Sequence, residues 1–109
     1  MAEEVPDNVL REKILIEINN DFHQGDKLNA ALESDVLYEL IRCFKDENDV
    51  IRELASRAII KTAGTYKGRD DLLFEENEYI SKIRDLFNDK VVEIRANAYN
   101  AMINIAEFT

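Results

Sequence analysis

The sequence predicts an all-α domain made of about two and a half stacked helical repeats, and three observations predict it. Residues 35–65 and 78–108 carry one pattern at an offset of 43 positions: Phe44 falls on Phe87, Asp46 on Asp89, Ile51-Arg52 on Ile94-Arg95, Ala55 on Ala98, Ala58 on Ala101, Ile60 on Ile103 and Ala63 on Ala106. A period of this size belongs to repeats that cannot bury their apolar faces without a neighbour. Apolar residues recur at helical spacing and no segment alternates with period two. One Pro, three Gly and no Trp also favour helix over a turn-rich fold.

Residues 1–7 read as a flexible leader, and residues 8–109 as a single domain. Pro6 with Asp7 or Asn8 starts a first helix through Val9-Leu10 to about Phe22, in which Leu10, Ile14, Ile18 and Phe22 form one apolar stripe. The segment His23-Gln24-Gly25-Asp26 breaks it and closes a partial repeat, 8–26. The next repeat, 27–69, opens with a short helix, Lys27 to Leu32. Ser34 or Asp35 then caps a second helix bearing Leu37, Leu40, Ile41 and Phe44 at i, i+3, i+4 and i+7. After the polar turn Asp46-Glu47-Asn48-Asp49, a third helix carries Ile51, Ala55, Ala58 and Ile59 on one face and runs to Gly64 as C-cap.

In the last repeat, 70–109, residues 70–76 take the place of the short helix and Ile80, Ile83 and Phe87 that of the second. The turn Asn88-Asp89-Lys90 leads into a final helix with Ile94, Ala98, Ala101, Met102 and Ile105 on its buried side. Alanine at matched positions allows close approach of helix axes.

The net charge of −9 argues against nucleic acid as a partner, because affinity for phosphates comes from clustered Lys and Arg that displace counterions. Cys43 is the only cysteine, so no disulfide framework exists and a reducing, intracellular compartment is expected. No run approaches the roughly 18 apolar residues that span a bilayer, and no membrane insertion is expected.

The order of short, middle and long third helix, with D-x(4)-[IV]-R-x(2)-A at Asp46 to Ala55 and again at Asp89 to Ala98, resembles the armadillo and HEAT repeat superfamily. The resemblance covers residues 27–109, with 8–22 similar to the third helix of a preceding repeat. It implies a right-handed α-solenoid that holds other proteins. The glycine often found before the middle helix in armadillo repeats is replaced by Ser34 or Asp35 and by Asn77 or Glu78. A narrower likeness runs through Lys45-Asp46, Ile51-Arg52, Thr65-Tyr66-Lys67-Gly68-Arg69, Leu86-Phe87-Asn88-Asp89 and Arg95-Ala96-Asn97, which is similar to the N-terminal repeats of the radial spoke protein fourteen family of the motile-cilium axoneme. It implies a cytoskeletal location and a bracing role in a radial spoke.

Asn97, Asn100 and Asn104 form a polar stripe on the last helix, and Lys61 stands one repeat before Asn104. Asn104 matches the asparagine that armadillo repeats use on an extended peptide, since a carboxamide both donates and accepts. The Trp that shelters such a site is absent, with Arg57 and Asn100 in its place. A solvated polar face is the other reading. Arg52, Arg95, Asp46 and Asp89 are expected to tie turns and bridge repeats, given the planar donor fork of Arg. Gly64 to Arg69 lacks the Gly-Lys-Ser/Thr ending of a phosphate loop and reads as an inter-repeat loop, in which Tyr66, Lys67 and Arg69 make a basic, aromatic docking spot for an acidic partner.

Asp46 to Asp49 offers oxygen ligands, yet Ile51 and Arg57 occupy the places where a calcium loop needs Gly and Glu. His23 and Cys43 are each alone of their type, which leaves neither a zinc set nor a Cys-His nucleophile. No catalysis, cofactor or metal is expected. Tyr99, Ile103 and Phe108 place apolar surface near the final helix, to be explained by fraying or by cover from another subunit. The expected function is a non-catalytic structural adaptor, a scaffold subunit that is not stable as an isolated monomer and binds other proteins of a large complex. An armadillo-type peptide-binding module of nuclear-transport or adhesion type is the alternative.

Overall fold

A computed structural model describes residues 7–107 of the chain, so Phe108 and the leader residues 1–6 lie outside the described residues. Seven α-helices are described: α1 (Asp7–Asp21), α2 (Gly25–Leu32), α3 (Val36–Arg42), α4 (Asp49–Thr62), α5 (Tyr66–Leu73), α6 (Tyr79–Asp85) and α7 (Val92–Glu107). Single 3₁₀ turns follow α3 (Cys43–Lys45) and α5 (Glu75–Asn77), and a third follows α6 (Leu86–Asn88). No strand occurs among the described residues.

The offset of 43 seen in the sequence holds for α3 against α6, for the 3₁₀ turns that follow them, and for the first residues of α4 and α7. It fails at the short helices. The sequence places residues 70–76 in the position of the short helix, but α5 begins at Tyr66, so of the expected loop Gly64 to Arg69 only Gly64 and Thr65 lie in a turn and Tyr66 to Arg69 are helical. Thr65 sets the start: in extended backbone, its Oγ1 accepts from the Gly68 N–H at 3.0 Å, satisfying one of the unpaired donors of the first turn. Gly68 is required there, because a Cβ would stand 2.0 Å from the Thr62 carbonyl oxygen. Gly64 does not act as a left-handed C-cap: no glycine has positive φ, and the cap residue of α4 is Ala63, in right-handed helical backbone.

Two further boundaries differ from expectation. α2 already begins at Gly25, so the break after α1 is confined to residues 22–24. Glu78, at φ 59°, takes the left-handed conformation that starts α6, at one of the two residues that replace the expected glycine.

α4 lies between α1 on one side and α7 on the other, while α2 packs on α5 and α3 on α6. The particle is elongated, 52 × 33 × 25 Å. Ile51, Ala55, Ala58 and Ile59 of α4 are buried as their spacing predicts, as are Ile94, Ala98, Ala101 and Ile105 of α7. Each fully buried Ile stabilises the fold by roughly 1.5–3 kcal/mol. The expected stripe of α1 is only partly inward: Phe22 is buried, but Leu10 is 49% and Ile14 47% exposed, and Leu15 and Asn19 take the inner positions instead. α4 is the main neighbour of α1, so the buried face of α1 is narrow and turned off the four-residue row.

Candidate interaction surface

The turns before α4 and α7 are built alike. Asp46 Oδ1 accepts from the Asn48 N–H at 2.8 Å, and Asp89 Oδ1 from the Val91 N–H at 2.9 Å. An arginine of the following helix then ties each turn down. Arg52 Nη1 donates to the Asp46 carbonyl at 2.8 Å, and Arg95 Nη1 to the Asp89 carbonyl at 2.6 Å. Asn48 caps α4 by accepting from Val50 N–H at 2.8 Å.

The same aspartates receive an arginine from the helix alongside. Arg11 of α1 donates to Asp46, and Arg52 of α4 reaches Asp89, Nε to Oδ2, at 2.9 Å. Arg52 also donates from Nη2 to Asp49 at 2.5 Å, so its guanidinium binds two carboxylates and two carbonyls. Its pKa is raised, first by the hydrogen bond to Asp89. The bridging role expected of Arg52 and Asp89 is therefore seen directly. Arg11 carries no signal in the repeat pattern, because it lies 41 positions before Arg52 and the 43-residue period falls on Val9 instead.

The carboxamides knit the long helices together. Asn97 Nδ2 donates to Ser56 Oγ at 3.0 Å, and Asn104 Nδ2 to the Ile60 carbonyl at 3.2 Å. Buried Asn19 of α1 donates to the Leu54 carbonyl at 3.0 Å. Lys61 Nζ in turn donates to the Asn19 carbonyl at 2.7 Å, and burial, then the charge of Arg57, lowers its pKa. The donor half of Asn97 and of Asn104 thus faces α4 rather than solvent, while Asn100 is exposed. Asn19 carried no sequence signal that set it apart from its neighbour Asn20.

Tyr66, Lys67 and Arg69 do not form a patch of two free cations. Arg69 is buried, donates from Nη1 to the Ala63 carbonyl at 3.1 Å and lies 4.9 Å from the centre of the Tyr66 ring. Lys67 Nζ is 3.7 Å from Asp71. Tyr66 is 81% exposed, and Lys67 is exposed beside it.

Large uncovered apolar residues lie on all three long helices: Leu10 and Ile14 among those of α1, Val50 of α4, and Val92, Tyr99 and Ile103 of α7. Tyr99 is fixed by stacking on Phe87, with ring centroids 4.2 Å apart and planes 10° from parallel. A groove of about 350 Å³ opens between α1 and α3, lined by Arg11, Ile14, Ile18, Val36, Glu39 and Cys43. No cluster of His, Cys, Asp and Glu able to hold a metal occurs among the described residues, and none of their helices is long and apolar enough to cross a membrane. No family model matches the chain, and no curated protein or solved structure matches it significantly.

Proposed function

We propose that the chain is an armadillo/HEAT-like right-handed α-solenoid that works as a non-catalytic scaffold, holding other protein subunits on the uncovered flanks of its terminal long helices. The observation that carries this reading is the row α1–α4–α7, in which each contact is closed by an arginine-to-aspartate bridge while Leu10 and Ile14 of α1 and Val92, Tyr99 and Ile103 of α7 stay exposed. Apolar surface of this kind stabilises a complex by roughly 25 cal/mol per Å² once covered. In its most specific form the reading places the protein in a radial spoke of the axoneme, on the resemblance of residues 45–97.

Affinity capture from ciliated cells tests the specific form, with spoke components expected and karyophilic cargo or no partner contradicting it. Sizing of the isolated chain tests the general form. Concentration-dependent association is expected, and a cooperative monomer without self-association would contradict it.

A further inference from the structure

The two flanks of the central helix show what an uncovered flank lacks. The side of α4 that meets α7 presents Arg52, Ser56 and the carbonyls of Glu53 and Ile60, all engaged by Asp89, Asn97 and Asn104. Shifted by the 43-residue period, these positions become Arg95, Tyr99, Ala96 and Ile103 on α7. There the same side is open: Tyr99 is 51% and Ile103 53% exposed, against 1% for Ser56. Arg95 keeps its bond to its own turn, but among the described residues no carboxylate reaches it, whereas Arg11 and Arg52 each bind the aspartate of the neighbouring turn.

We infer that the outer flank of α7 is a docking surface for a helix of another protein, lying parallel to α7, with a carboxylate in the turn before its first residue. That carboxylate closes on the Arg95 guanidinium, as Asp89 closes on Arg52, and charge complementarity at this point sets register and direction. The partner's apolar face covers Val92, Tyr99 and Ile103, and the exposed small residue Ala96 permits close approach between them. A carboxamide at the level of Asn104 would meet the Ile103 carbonyl. The inference rests on the scaffold reading and names the partner chemistry for one of its surfaces.

A synthetic peptide of residues 86–107 supplies the required features, an aspartate ahead of a helix with a packing face, and serves as the probe. Fluorescence anisotropy of the labelled peptide against the whole protein is expected to show saturable binding, weakened at least tenfold by Arg95→Glu and again by Ile103→Asp. Against Arg95→Glu, the Asp89→Arg peptide is expected to bind better than the unaltered one. Circular dichroism checks that both protein variants stay folded, and Ile103→Asp leaves the turn contact of Arg95 in place. No saturable binding, or equal binding to Arg95→Glu and the parent, overturns the inference. Cellular partners captured equally by parent, Arg95→Glu and Ile103→Asp would also overturn it while leaving the scaffold reading intact.

Discussion

The Nε of Arg52 donates to Oδ2 of Asp89 at 2.9 Å, joining α4 to the turn that introduces α7, and both side chains are only 9% exposed. Removing one member leaves a mostly buried charge without its partner. Arg52→Ala is expected to destabilise the fold by roughly 2–4 kcal/mol, with about 1–3 kcal/mol of coupling to Asp89→Ala in a double-mutant cycle. The matching Arg11→Ala breaks a bridge whose arginine is 49% exposed, and a loss of at most about 1 kcal/mol is expected. Urea denaturation of the four variants decides. Equal losses for Arg52→Ala and Arg11→Ala would contradict the difference in burial.

Acid should loosen the same contact. Burial alone would raise the Asp89 carboxyl, but the hydrogen bonds from Arg52 and the Val91 N–H, with the charges of Arg52 and Lys90, hold it below the usual carboxylate range. Its folded value is thus below the unfolded one, so its stabilisation is fully present above about pH 3.9 and is lost as the pH falls through the folded value. Denaturation midpoints measured across that range should fall less steeply for Asp89→Asn than for the parent. Parallel curves would show that Asp89 is not the group involved.

Glu78 stores local strain. Its left-handed φ of 59° is disfavoured for a residue with a Cβ, and its side chain makes no capping hydrogen bond. Glu78→Gly is expected to raise stability by about 0.5–1 kcal/mol, seen as a higher thermal midpoint. A lower midpoint would contradict this account of the turn.

The glycines separate by their surroundings. Gly68→Ala places a Cβ against the Thr62 carbonyl and the Thr65 hydroxyl, so α5 must shift, and a loss above about 2 kcal/mol is expected. Gly25→Ala meets nothing within 4 Å and should change stability by less than about 0.5 kcal/mol. Thermal melts of both variants check the pair.

How much was legible depends on what each signal measures. The spacing of Ile51, Ala55, Ala58 and Ile59 reports a buried face directly, because side chains three and four apart share one side of a helix. In α1 the same spacing misled, since Leu10 and Ile14 face away from the only long helix packed beside them. Arg69 read as a surface cation because residue type does not reveal that a guanidinium turns inward to a carbonyl. The early start of α5 was written in Thr65, a good N-cap, but glycines at 64 and 68 suggested a loop. Asn97 and Asn104 were placed on one polar stripe, yet which helix their donors meet is a tertiary fact that periodicity does not contain.

The arrangement on which the account depends is a central α4 covered on both sides between α1 and α7, each open on its outer flank. Amide hydrogen exchange measures this most directly, because covered helices open only with larger unfolding events. The account predicts that the interior amides of α4 exchange most slowly, with those of α1 and α7 faster. Amides of α1 or α7 as slow as those of α4 would contradict it.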